Sequence, residues 1–354
     1  MDIESYLVEA KLFRNFIIVY NECGGVIMNS YKFGVIGLGW ISNEFCEALN
    51  VVPMTELHAV GSRSMEKAKE FAKKHYAENA YGSYENVYND PEVDIVYIGT
   101  PMSSHFQNML DIIEAGKHII CEKSFTLNHK EAQIIKDKAH QKGVVVMEAL
   151  WTRFNPTIKT IQEIVLSGEI GEIERIDAEF SIYRDFDEKS RIFNNELGGG
   201  ALLDVGIYPI TFTDIFIGLD ALEIDSSSEL APTGVDIDNE VRLNYGNKTA
   251  KLIFGVNREG KNYATIYGTE GRVVVKDFWS TQNAEVHLRN GKMRTINIDF
   301  IMNGLEYEIM HFIGILESGK AESDIMPLSK TIEIMKFMDN LRSKWGVEYI
   351  TELK

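Results

Sequence analysis

Gly37-Leu38-Gly39-Trp40-Ile41-Ser42 stands between a short apolar run, residues 33–36, and a helical pattern carrying Phe45, Ala48 and Leu49. Glycines at a strand-to-helix turn let backbone close on a pyrophosphate, and the first helical turn adds unpaired N–H groups and about half a positive charge. In Gly37-x-Gly39-x-x-Ser42 a serine occupies the third glycine position and is small enough for close helix packing. The chemistry on offer is the grip of a dinucleotide, with Gly37, Gly39, Trp40 and Ile41 around its phosphates. A second cluster, Gly61-Ser62-Arg63-Ser64, follows the next apolar run, where the adenosine ribose belongs. An NAD site usually places an acid there, and this chain has none until Glu66. Arg63 can take a 2′-phosphate bidentately and the serines can donate to it, which favours NADP over NAD. A solvated arginine at a helix start is the plainer reading of Arg63, and it leaves the missing acid unexplained.

Positioning these groups requires a parallel sheet. Residues 57–61, 93–98, 118–121 and 144–149 are further short apolar runs, and amphipathic helical patterns lie between them, as at residues 65–75 with Ala68, Phe71 and Ala72 on one side. Continuous apolar strands alternating with helices imply an α/β Rossmann domain covered on both faces, spanning residues 32–150. Its third and fourth strands end at Gly99-Thr100-Pro101 and at Glu122-Lys123. From residue 173 the strands lengthen and alternate, as at 241–245, 250–254 and 272–276, with Gly-Asn, Glu-Gly and Asn-Gly turn signals between them. Residues 151–354 are therefore expected to form an α+β domain with a large, mostly antiparallel open sheet, for substrate binding and oligomerisation. Helical patterns at 305–317 and 329–342 close the chain, the last one expected to pack back on the first domain.

A chain of 354 residues exceeds the size at which one core usually stops growing. Its net charge of −17, from 36 Lys+Arg and 53 Asp+Glu, argues against a nucleic-acid partner, which calls for a basic face. Cys23, Cys46 and Cys121 have no ligand spacing and the eight histidines form no short cluster with paired acids, so no metal and no disulfide framework are expected. No stretch approaches the roughly 20 apolar residues of a membrane span, and acids at Asp2, Glu4 and Glu9 oppose a secretory signal, which makes the cytoplasm the expected location. Residues 1–31 look foreign to the fold. Either Gly24-Gly25-Val26-Ile27-Met28 reads through a ribosome-binding sequence before a true start at Met28, or Ile3, Leu7, Ala10 and Ile17 mark a short amphipathic helix.

With these pieces placed, the sequence resembles the Gfo/Idh/MocA oxidoreductase family over residues 32 to about 340. The resemblance rests on Gly99-Thr-Pro-Met-Ser-Ser-His105, Glu114-Ala-Gly-Lys-His118 and Cys121-Glu-Lys123. Residues 147–156 and 197–208 look most like its dimeric dihydrodiol dehydrogenase branch. Two departures stand out: Ser124 replaces the proline that commonly follows the lysine, so the local backbone is expected to be less rigid, and Tyr208 stands where many members carry histidine. The resemblance implies a homodimer or homotetramer built through the C-terminal sheet, and a catalytic Lys123.

Hydride exchange between a carbinol carbon and nicotinamide needs a group that takes or gives the hydroxyl proton and donors that hold the oxygen. Lys123, at the carboxyl end of a buried strand, points into the crevice where such folds bind ligands. Its reference pKa of about 10.4 is high for a base, and burial beside a nicotinamide cation is expected to lower it. Asp204 and Tyr208, four apart, share a face if helical, Asp204 to orient Lys123 and Tyr208 to donate to the substrate oxygen; the plainer reading has Asp204 capping a helix. Thr100, Pro101, Glu122, Trp151 and Arg153 are expected along the cofactor crevice, with His105 structural or cofactor-side rather than catalytic, and Cys121 core. The leading reading is oxidation or reduction of a secondary alcohol or carbonyl in a sugar, cyclic diol or small dicarbonyl. An NAD-dependent glycosidase with a cyclic redox mechanism and a cofactor-binding sensor are the alternatives; retention of Lys123, Asp204 and Tyr208 together opposes the sensor.

Overall fold

The computed structural model describes residues 30–352, so both readings of residues 1–27, and Cys23, lie outside the described residues. Strands β1 (Tyr31–Ile36), β2 (Thr55–Gly61), β3 (Asn79–Tyr81), β4 (Ile95–Ile98), β5 (His118–Glu122) and β6 (Val146–Ala149) form one sheet, ordered β3-β2-β1-β4-β5-β6, all pairs parallel. Every residue of β4 and β6 is buried, which is why these segments read as unbroken apolar runs. Helices α1 (Trp40–Leu49), α2 (Met65–His75), α3 (Tyr84–Tyr88), α4 (Met102–Glu114) and α5 (His129–Lys142) alternate with the strands. Strand order reverses between β1 and β4, which opens a crevice at their carboxyl ends.

After a short turn at Trp151–Arg153 and α6 (Pro156–Leu166), a second sheet follows. It comprises β7 (Ile173–Ser181), β8 (Glu223–Leu230), β9 (Asp236–Asn244), β10 (Thr249–Gly255), β11 (Tyr263–Gly268), β12 (Gly271–Lys276), β13 (Asn283–Leu288) and β14 (Met293–Asn297), in the order β14-β13-β12-β11-β7-β10-β9-β8. Only β7 and β10 run parallel. Burial alternates along β10 and β11, so one face is core and the other open. The buried face packs on α7 (Ile207–Ile217), whose first half is buried at every position. Against the expectation that no stretch approaches a membrane span, the helical run 195–217 is long and apolar enough to cross one by length and composition; 83% of its apolar window is buried inside the protein.

Helix α8 (Glu306–Glu317) lies against α1, and α9 (Leu328–Trp345) lies on α5. Asp339 Oδ2 accepts from the backbone N–H of His129 at 2.9 Å, while Arg342 bonds Asp339 and Glu352.

Candidate active site

The glycine loop is shaped for an anion. Gly37 has φ +79°, and a Cβ there would collide with the backbone of Gly99 and Thr100. Ser42 Oγ donates to Gly37 O at 2.7 Å and stands directly over Gly99, so the serine closes the turn that a third glycine would leave open. A Cβ on Gly39 would meet only Gly37 O, at 3.9 Å, and α1 begins with no side-chain cap and no acid in its first turn. Its N–H groups are therefore free for phosphate. Trp40, 75% exposed, and the half-buried Ile41 flank this entrance.

At the end of β2, Ser62 Oγ accepts from Ser64 N at 3.2 Å and Ser64 caps α2. Glu66, the nearest acid, accepts from Ser64 Oγ at 3.0 Å. Arg63 is exposed and makes no ion pair among the described residues. Thr100 accepts from Asn108 through Oγ1 at 2.9 Å, and Pro101 starts α4. His105 is buried between the carbonyls of Thr100 (2.8 Å) and Ser124 (3.1 Å), so it ties the β4 and β5 ends together. Burial pushes its pKa down despite those carbonyls.

The proton-handling groups meet at the end of β5. Lys123 Nζ donates to the Asp204 carbonyl at 2.7 Å, lies 3.5 Å from Asp204 Oδ1, and stands 5.0 Å from the centre of the Tyr208 ring. Burial alone would lower the Lys123 pKa; Tyr208, Asp204 and Glu122 outweigh it, and the net direction is upward. The expected lowering of that pKa is thus reversed in the protein's own field, and Lys123 is an ammonium. Ser124 is fully buried and donates to Leu203 O at 2.9 Å, which ties this position to the second domain.

Asp204 sits in a π-helical run, Leu202–Gly206, that feeds α7. Pro209 has no N–H to offer the preceding turn, which accounts for the widened winding. Asp204 caps nothing. Arg191 grips it with two bonds, Nη1–Oδ1 3.0 Å and Nη2–Oδ2 3.3 Å. Burial opposes ionisation of Asp204, but Lys123 and Arg191 hold its pKa below the usual value. Burial pushes the Tyr208 pKa up, against the pull of Lys123 and Trp151, so the phenol keeps its proton. Phe180 lies 5.6 Å from the Tyr208 ring and stacks on Trp279 at 3.8 Å. Sequence reasoning missed Arg191, Phe180 and Trp279; they come from a loop and two strands' ends that only the fold brings to Tyr208.

Two further residues expected along the crevice have partners within the protein. Arg153 pairs with Asp214, which Lys330 also reaches at 3.2 Å. Glu122 turns inward, accepting from Tyr97 OH at 2.6 Å and Lys123 N at 3.3 Å, so it supports the lysine from beneath. Burial raises its pKa, pushes Glu148 up to about 7 and drives Glu308 well above the carboxylate range. Cys121 is fully buried core.

Residues 31–150 match the family model described as "Oxidoreductase family, NAD-binding Rossmann fold", and residues 158–274 match the GFO/IDH/MocA C-terminal domain. Trans-1,2-dihydrobenzene-1,2-diol dehydrogenase of Xenopus tropicalis is 35% identical over 331 residues, covering 90% of this chain and 99% of that protein. The Homo sapiens protein of the same name is 30% identical, with 90% and 98% covered. Among solved structures, a 3-ketoreductase from Actinomadura kijaniata in complex with NADP and TDP-benzene superposes with TM-score 0.80 at 25% identity, covering 89% and 98%. An aldose-aldose oxidoreductase from Caulobacter crescentus, complexed with glycerol, gives 0.81 at 20% identity over 90% and 98%, which speaks to the fold alone.

Proposed function

The chain belongs to the Gfo/Idh/MocA oxidoreductase family, and from that premise we propose that it is an NADP-linked dehydrogenase or reductase acting on a secondary alcohol or carbonyl of a cyclic diol, sugar or small dicarbonyl. The observation that carries the reading is the convergence of Lys123, Asp204 and Tyr208 beside an uncapped glycine turn. Bound NADP(H) supplies the hydride acceptor or donor. Lys123, held charged by Asp204, donates a hydrogen bond to the substrate oxygen and stabilises negative charge there. Tyr208, protonated and with its ring 5.0 Å from the same ammonium, gives its proton to the carbonyl oxygen as that is reduced; alcohol oxidation runs from the phenolate, which takes the hydroxyl proton. Burial of Tyr208 excludes water from that transfer.

The stacked pair Phe180–Trp279 beside Tyr208 supports a flat-sided cyclic substrate over an open-chain polyol. The dihydrodiol dehydrogenase relatives support the same class. The unpaired Arg63 and the lack of an acid at the end of β2 support NADP. The open face of the second sheet, with Tyr263 and Met293 exposed, supports a homodimer or homotetramer, and a monomeric mass in solution would overturn that part.

Calorimetric titration with NADP and NAD, for wild type and Arg63→Ala, is the first test. The reading expects NADP preference that collapses in the variant. Equal or tighter NAD binding by the wild type would sink the NADP assignment while leaving the oxidoreductase intact.

A further inference from the structure

The outer edge of the first sheet holds a cluster that hydride chemistry does not use. Glu56 and His58 lie two apart on β2 and so share a face, and Glu78, just before β3, reaches them because β3 pairs with β2 from Asn79 onward. A ring nitrogen of His58 and one carboxylate oxygen from each glutamate lie within 4.8 Å of one another. His58 is only 3% exposed, and its Nδ1 is buried without a hydrogen-bond partner; the Glu78 oxygen 3.0 Å away stands outside hydrogen-bond geometry.

The other side of the ring sets the tautomer. Nε2 lies 3.2 Å from Asp90 Oδ2 and 3.1 Å from Asn79 Nδ2; a proton on Nε2 serves the carboxylate and requires the Asn79 amide to turn its oxygen to the ring. Asp90 is itself fixed, accepting from Tyr81 OH at 2.8 Å and from Glu92 N at 2.9 Å. A carboxylate facing Nε2 calls for the proton there, which leaves Nδ1 with a lone pair 3.0 Å from a Glu78 oxygen. That arrangement is repulsive without a cation, and an imidazole oriented by a carboxylate behind it is how histidine ligates metals.

We propose that His58 Nδ1, Glu56 and Glu78 bind a divalent transition cation, zinc by ligand type, with water completing four-coordination. The sequence-based expectation of no metal took no account of residues 56, 58 and 78, which become neighbours only through β2–β3 pairing. The ion staples the entry of β3 to β2. Ser62 N donates to Tyr81 O at 3.1 Å at the far end of the same pairing, so the staple stiffens the edge that carries Arg63.

The test uses full-length, tag-free protein at pH 7.5, dialysed free of metal and titrated calorimetrically with zinc chloride, with bound zinc counted by mass spectrometry. One zinc per chain, bound at micromolar concentration or tighter and weakened at least tenfold in both His58→Gln and Glu78→Gln, is expected. Magnesium is expected not to compete. Zinc far above its dissociation constant is expected to raise the melting temperature by about 2–4 °C. Less than one zinc per chain, or a His58→Gln variant indistinguishable from wild type, overturns the site. Imidazole nitrogen spectra keep it falsifiable if a variant fails to fold: a neutral Nε2–H tautomer whose Nδ1 resonance responds to zinc supports it. A doubly protonated ring indifferent to zinc makes His58 the cation of an ion pair between Glu78 and Asp90, and the proposal falls.

Discussion

Asp204 is pulled from two sides, and the two cations have different duties. Lys123 reaches into the reaction space, whereas Arg191 approaches from the loop before the π-helical run and holds the carboxylate flat with two bonds. Replacing Lys123 by Met is expected to lower kcat by a factor of roughly 10² to 10⁴, with the NADP dissociation constant within threefold of wild type. A dissociation constant that rises along with the loss of turnover would place Lys123 in cofactor binding instead. Arg191→Ala removes one of the charges that keep the Asp204 pKa low, so protonation of Asp204 begins at higher pH. The acidic limb of the kcat/KM profile is expected to move toward neutrality, with turnover lost most at low pH and partly recovered above it. Arg191→Lys restores charge without the fork and is expected to fall between. An acidic limb unmoved in Arg191→Ala would show that Arg191 only packs the loop.

The same acid–base logic governs the elements beneath the site. Glu122 on β5, Glu148 on β6 and Glu308 on α8 are buried, and both Glu308 oxygens and one of Glu148 lack hydrogen-bond partners. Burial lifts the Glu148 pKa from 4.5 to about 7. A carboxyl whose folded pKa exceeds its unfolded value binds more protons in the native state, so stability falls as pH rises from the unfolded pKa through the folded one. The window is about pH 4.5 to 7, and full ionisation of Glu148 costs about 3 kcal/mol. Glu148→Gln is expected to flatten that decline in urea unfolding measured at pH 5 and pH 8, being more favourable at pH 8. A decline of equal slope in wild type and variant would mean that other groups set it.

These elements differed in how far sequence could reveal them. The apolar runs of β1, β4 and β5 announced themselves because both sheet faces are covered, and the turns at Gly246, Gly271 and Gly291 marked hairpins. β8, with Ser226, Ser227 and Ser228 in its middle, presents no apolar stripe and gave no local signal. Lys123, Asp204 and Tyr208 were within reach because a family pattern and a spacing carried them. Arg191 sits among Asp185, Asp187 and Glu188 and looks like one more surface charge until the fold delivers it to Asp204. Arg153 finds its partner in Asp214, 61 residues further on, which nothing in the local sequence announces.

At the scale of the whole molecule, the last helix belongs by sequence to the second domain and by contact to both. Asp339 accepts from the His129 backbone at 2.9 Å and lies 2.5 Å from its ring nitrogen, and Arg342, almost fully buried, bridges Asp339 to Glu352. This clasp fixes α5 of the cofactor domain against a helix anchored below the second sheet, where Lys330 pairs with Asp214. Domains joined in this way are expected to unfold together, so that cofactor bound to the first protects the second. Calorimetry of the wild type is expected to show one transition that NADP raises as a whole. In Asp339→Ala/Arg342→Ala the clasp is gone and two transitions are expected, of which NADP raises only one. A single NADP-responsive transition in the double variant would mean that the crevice contacts, chiefly Lys123 to Asp204, couple the domains without the helix.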